Sequence, residues 1–269
     1  MTTPVATPEW EMQVLAVLQA RTSSSRLPGK VLADLQGAPM ILRQIERIRR
    51  AQRVDGLVVA TSLDPSDDRL AAVVETAGIR VMRGSLDDVL ERFASVVRSV
   101  MPRHVVRLTA DCPLLDPEVL DAVVTQHLAG DSDITTNALE PTLPDGLDVE
   151  VVAVDALLTA SREATLRFER EHVTQFLYRR PERFRIAHYR NPQNFAGLRW
   201  TVDEPDDLAF VRAVFGALYS SKPNFGFRDV LRLLEARPDL GSINSRFARN
   251  EGLARSMAEH DTYQIGNKK

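Results

Sequence analysis

Short apolar runs alternate with segments of helical period along the first half of the chain, and this alternation limits the fold most. The run 14–18 (VLAVL) is short and apolar like a buried strand; 57–61 (LVVAT), 79–82 and 105–109 follow it. Between them, Met40, Ile41, Ile45 and Ile48 recur at helical spacing after Pro39, and 68–77, 88–101 and 117–128 read as helices. Asp116 is the expected N-cap of the last of these. Strands separated by helices predict βαβ units: an α/β fold with a Rossmann-like, mostly parallel mixed sheet flanked by helices. After residue 130 the rhythm changes. Extended segments are expected at 133–137, 147–154, 184–189 and 198–202, and helices at 155–163, 169–179, 205–218 and 228–236. One domain with an inserted arm is expected, spanning 13–252, with loosely ordered tails at 1–12 and 253–269.

Such sheets bind ligands at the carboxyl ends of their strands. The segment QARTSSSRLPGKV (19–31) falls there and carries Arg21, Arg26 and Lys30, the hydroxyls of residues 22–25 and a Pro28-Gly29 turn. Arginine forks, a lysine point charge and hydroxyls are what a triphosphate needs. The residues alone also allow a solvated basic loop. This is not a Walker A loop, because Val31 follows Lys30 and Ser24 stands where its first glycine would be; no GxGxxG occurs in the chain.

Composition removes several classes of function. Hydrophobic residues make up 44% and charged residues 26% of the 269 residues, as in globular proteins. A net charge of −3 gives no bias toward nucleic acid. Cys112 is the single cysteine, so there is neither an internal disulfide nor a Cys-rich metal site. No apolar run approaches the ~18 residues of a membrane span. The opening MTTPVATPEWEMQ lacks the basic and apolar regions of a secretory signal. A soluble cytoplasmic protein is expected, with neither nucleic acid nor membrane as partner.

The loop Arg-x-x-Ser-x-Arg-Leu-Pro-Gly-Lys-Val resembles the signature of the cytidylyltransferases that activate acidic sugars, the acylneuraminate and 3-deoxy-manno-octulosonate enzymes. The nearest likeness is to their spore-coat-polysaccharide (SpsF-like) branch. GSLDDVLERF (84–93), RLTADCPLLDP (107–117), GLDVEV (146–151), REHVTQFL (170–177), LRWTVDEPDDL (198–208) and SINSRFARNEG (242–252) resemble that branch in the same order. The resemblance implies a nucleotidyltransferase (GT-A-like) fold and CMP transfer from CTP to an acidic sugar or related acidic acceptor. It also implies Mg²⁺ as cofactor, release of pyrophosphate in surface polysaccharide or glycoconjugate precursor synthesis, and a homodimer using the inserted arm.

Carried onto this chain, the resemblance makes Arg21, Lys30, Asp111 and Asp203 catalytic, with Asp111 and Asp203 as metal ligands. Ala20, Arg21, Ser24, Arg26, Lys30, Thr61, Gly84, Ser85 and Thr109 fall to the nucleotide. Asp148, Glu150 and His172 fall to the acceptor. Each position has a plainer use: Asp203 as a helix N-cap, Thr61 and Thr109 as strand ends, Gly84 as a turn, and Asp148 and Glu150 as a solvated strand face. Glu204, Asp206 and Asp207 suit the first turn of a helix. The Asp-Cys-Pro after Ala110 lacks the second carboxylate of a glycosyltransferase Asp-x-Asp site. A nucleotidyltransferase using another nucleoside triphosphate, or a silent nucleotide-binding scaffold, remains open on the residues.

Overall fold

A computed structural model describes residues 12–247 and 249. The expected tails lie outside these residues, apart from Met12. The first half alternates as its pattern predicts: β1 (Val14–Gln19), α1 (Met40–Ile48), β2 (Gly56–Ser62), α2 (Asp68–Thr76), β3 (Arg80–Gly84), α3 (Val89–Val100), β4 (His104–Thr109) and α4 (Pro117–Ala129). There follow β5 (Ile134–Thr136), β6 (Glu150–Ala153), α5 (Val154–Glu163), α6 (Arg167–Glu171), α7 (Gln175–Tyr178), β7 (Ile186–His188), α8 (Pro205–Leu218), α9 (Phe227–Ala236) and α10 (Pro238–Gly241).

The seven strands form one sheet in the order β3-β2-β1-β4-β6-β5-β7. β1, β2, β3 and β4 pair in parallel, β6 runs antiparallel to both β4 and β5, and β5 pairs with β7 in parallel. Alternation along β1 divides the core. Val14, Ala16 and Leu18 join a cluster with side chains of α1, α4 and α8, whereas Leu15 and Val17 join one with α3, α5 and α7. Both faces are covered, which explains why the central strands read as unbroken apolar runs. Helices α5 and α7 lie on the α3 side. Among the described residues no helix is long and apolar enough to cross a membrane.

Two local expectations are corrected. Residues 198–202 are extended but form no ladder strand; a single bridge joins Arg199 to Asp145. The helix expected over 169–179 is broken by Val173, fully buried at φ 53°, into α6 and α7. A β-branched residue in the left-handed region is rare and ends the helix.

Candidate active site

Strand order reverses between β1 and β4, which opens a crevice beyond their carboxyl ends. A cleft of about 500 Å³ lies there. Its first wall is the loop after β1. Thr22 fixes this loop: its N–H and hydroxyl both donate to Asp67 Oδ1, at 2.7 and 2.8 Å. Gly29, at φ +72°, turns the chain into a 3-10 turn that starts at Lys30.

Lys30 is nearly buried and sits between the two expected metal carboxylates. Its Nζ lies 2.8 Å from Asp203 Oδ1 and 3.5 Å from Asp111 Oδ2, and donates to Val202 O at 2.7 Å. Burial opposes the ammonium, but the two aspartates outweigh it and raise its proton affinity. Burial likewise opposes ionisation of Asp111, and Lys30 with nearby donors holds this carboxyl below its usual range. Arg26 adds a second cation, 3.0 Å from Asp203 and 3.4 Å from Glu204.

The carboxylates arrive from distant segments. Asp111 follows β4; Asp203 precedes α8. Val202 N–H donates to Asp111 O at 2.8 Å and ties the two together. Glu204 rather than Asp203 occupies the N-cap of α8, which leaves the Asp203 carboxylate to the cleft. Asp207, fully buried, accepts from the N–H groups of Asp203 and Glu204 at 2.9 Å, from Arg199 and from Asn244. It organises the turn rather than only complementing a helix dipole. Asp116 caps α4 as expected, accepting from Glu118 N–H at 2.8 Å and Val119 N–H at 3.2 Å; it also accepts from Phe227 N–H at the start of α9.

Among the described residues no three His, Cys, Asp or Glu side chains form a metal cluster. Asp111 and Asp203 nevertheless suit Mg²⁺. They are hard oxygen donors that already share one cation, and this metal takes one or two carboxylates plus water and substrate phosphates.

Farther along the cleft, Glu150 is buried and engaged by Arg107, by Thr174 Oγ1 at 2.8 Å and by Tyr178 Oη at 2.5 Å. Asp148 is paired with Arg249. Burial raises the Asp148 carboxyl to about 7, partly offset by Arg249. Both carboxylates line the cleft, but these partners correct the expectation of a solvated strand face. His172 also lines the cleft; its Nε2 is buried with no protein partner, and burial lowers its proton affinity. Burial pushes the Cys112 thiol well up, which leaves it inert.

The cleft thus gathers Ala20, Arg21, Ser24, Arg26, Lys30, Thr109, Asp111, Asp148, Glu150, His172 and Asp203. It does not gather Thr61, Gly84 or Ser85. Thr61 is buried inside the sheet; Gly84 packs beneath Arg92; Ser85 Oγ accepts from Asp88 N–H at 3.0 Å before α3. Thr61 is fully buried, Gly84 half-buried and Ser85 exposed outside the cleft. Sequence reasoning passed over Arg92, Arg107, Arg167 and Tyr178, which also line the cleft. A signal existed for one of them: Val89, Arg92, Phe93 and Val96 fall at helical spacing, so Arg92 is an arginine on an apolar face.

Comparisons with known proteins agree with this geometry. Residues 15–234 match the model of a family described as cytidylyltransferase. The chain is 34% identical over 235 residues to the spore coat polysaccharide biosynthesis protein SpsF of Bacillus subtilis, covering 84% of this chain and 95% of that protein. It is 41% identical over 114 residues to a 3-deoxy-manno-octulosonate cytidylyltransferase of an Anaeromyxobacter species, covering 41% and 46% of the two chains. A cytidylyltransferase structure from Leptospira borgpetersenii superposes with a TM-score of 0.83 at 26% identity, over 88% of this chain and 100% of that one. The signature read from the loop and the sheet that presents it lead to one family: the chain is a CTP-dependent nucleotidyltransferase of the cytidylyltransferase family, on the branch that includes SpsF.

Proposed function

We propose that this chain transfers CMP from CTP to a hydroxyl of an acidic sugar or related acidic acceptor, with Mg²⁺ as cofactor and pyrophosphate as product. The observation that carries the reading is Lys30 held between Asp111 and Asp203 in a cleft at the reversal of strand order. The acceptor oxygen bonds to the α-phosphorus as the bond from that phosphorus to the α,β-bridging oxygen breaks; the electron pair leaves with pyrophosphate, and the hydroxyl proton passes to solvent. Asp111 and Asp203 would hold Mg²⁺, which when bound would supply charge neutralisation at that phosphorus. Lys30 fixes both carboxylates and Arg26 adds a second contact to Asp203. His172, which lines the cleft with a buried Nε2 that no protein group engages, contributes to the acceptor side. The relatives' names, a polysaccharide biosynthesis protein and an octulosonate cytidylyltransferase, support the acceptor class. The homodimer and cytoplasmic setting implied by the resemblance belong to the same reading, and sedimentation checks the first.

Pyrophosphate release from CTP with Mg²⁺ and a panel of acidic sugars tests the proposal, with UTP, dTTP and GTP in parallel. Signal with CTP and one acceptor is expected. Asp111→Asn is expected to keep the melting temperature within a few degrees and to lose at least ~100-fold in turnover. Near-normal Mg²⁺-dependent turnover by this variant would sink the metal assignment.

A further inference from the structure

The cations that line the cleft stand in two different states. Lys30 and Arg26 are already neutralised. Lys30 meets Asp111 and Asp203; Arg26 meets Asp203 and Glu204. With Arg199, 3.4 Å from Asp203, three cations are thus already engaged by the carboxylates of Asp111, Asp203 and Glu204. A bound triphosphate adds about four negative charges at neutral pH. One divalent metal ion does not restore the balance, so these groups cannot receive the nucleotide alone.

Arg92 is in the opposite state. It is 2% exposed, lines the cleft, and has no carboxylate in contact among the described residues. Its one hydrogen bond is from Nη1 to Ser85 O at 3.1 Å, and its Nε is buried with no partner. Asp67 and Asp88 act on it only from beyond contact, and both are engaged elsewhere. Asp67 holds Thr22 and Ser62; Asp88 holds Glu91 N–H and Arg170. Burial, and then the charge of Arg21, lower its proton affinity to about 10. Arg21 is exposed and has no ion pair among the described residues. A buried guanidinium beside a like charge is costly unless an anion joins it. Its position is nonetheless built: a Cβ on Gly84 would stand 3.2 Å from Arg92 Cγ, so the glycine leaves room for the arginine stem.

We propose that Arg92, together with Arg21, is the cation pair that receives the outer phosphates of CTP, the part that leaves as pyrophosphate. This rests on the reading that the cleft takes CTP. Two guanidinium forks match phosphate oxygens bidentately, and the anion relieves the repulsion between the arginines. The cleft then divides its labour: Lys30 and Arg26 hold the carboxylates in place, while Arg21 and Arg92 hold the leaving group. Arg92 is a binding residue that sequence reasoning did not assign.

Isothermal titration of CTP, CMP and inorganic pyrophosphate, at fixed Mg²⁺ and ionic strength, tests this on the full chain. Arg92→Gln is expected to weaken CTP and pyrophosphate about ten- to a hundredfold and to leave CMP within about twofold. Arg92→Lys is expected to fall between that variant and wild type, because it keeps the charge and loses the fork. Arg21→Gln, at an exposed position, is expected to follow the same pattern. Wild-type affinity for CTP and pyrophosphate in an Arg92→Gln protein that melts normally overturns the inference. So does an equal loss for CMP, which would place the contact on the nucleoside. If Arg92→Gln does not fold, unchanged pyrophosphate binding by Arg21→Gln overturns it. A wild-type protein that binds no CTP overturns the proposed function itself, and this inference with it.

Discussion

Gly146 stands where two stretches of backbone nearly touch. Its φ is +106°, and a Cβ there would lie 2.6 Å from both Thr201 N and Trp200 C. No flexible side chain is available to move aside. Trp200 N–H donates to Asp145 O at 2.6 Å and Asp145 N–H to Leu198 O at 2.9 Å, so the residue just before the glycine is tied to the facing stretch through both its backbone groups. Gly146→Ala is expected to cost more than ~3 kcal/mol through combined strain and overlap, read from urea denaturation. A cost under about 1 kcal/mol would contradict the close approach. The sequence motif GLDVEV directed attention to Asp148 and Glu150, yet the residue that geometry constrains most is the glycine before them. The contact that demands it comes from a segment far along the chain, which no local pattern reports. Lys30, Asp111 and Asp203 were legible because each lies in a long local motif: the loop after β1, the turn after β4 and the segment before α8. Arg249 beside Asp148 was not.

At the scale of elements, the end of α4 meets the start of β4 and β5 through a pair of histidines. His127, 2% exposed, shares a 2.9 Å hydrogen bond between its Nε2 and His104 Nδ1, and its Nδ1 lies 2.9 Å from Thr135 Oγ1. Burial, and then the neighbouring His104, lower its pKa from 6.5 to about 4. Between those values the unfolded chain binds a proton that the folded chain does not. Stability is therefore full above pH ~6.5 and falls as the pH drops toward 4, by up to ~1.4 kcal/mol per pH unit from this residue. His127→Gln should be less stable than wild type at pH 8 and lose less between pH 6.5 and 4; parallel wild-type and variant curves would refute this. The first four strands and helices were readable because short unbroken apolar runs contrast plainly with the 3.6-residue period of the segments between them. Residues 198–202 look like a strand because they are apolar and extended, yet one bridge is all they form. The break at Val173 was hidden because a valine there carries no turn signal.

For the whole molecule, the parallel half of the sheet follows from βαβ units, whereas the insertion of antiparallel β6 between β4 and β5 depends on long-range pairing that the sequence pattern does not encode. The cleft joins both halves, so a ligand that fills it should hold them together. CTP with Mg²⁺ at about 100 times its dissociation constant is expected to stabilise the fold by ~2.7 kcal/mol, seen as a rise in melting temperature. UTP at the same concentration should raise it less; an equal rise would point away from cytidine selectivity.

The tie between Val202 N–H and Asp111 O has a bearing on when the site comes together during synthesis. A chain emerging from the ribosome folds from its N-terminal side. It can form β1–β4 and the loop after β1 long before residue 203 has been made. Until the 198–204 segment docks against Asp111, Lys30 and Arg26 lack the carboxylate that both contact. The grouping of these cations around their shared carboxylate thus arrives late, in one docking event.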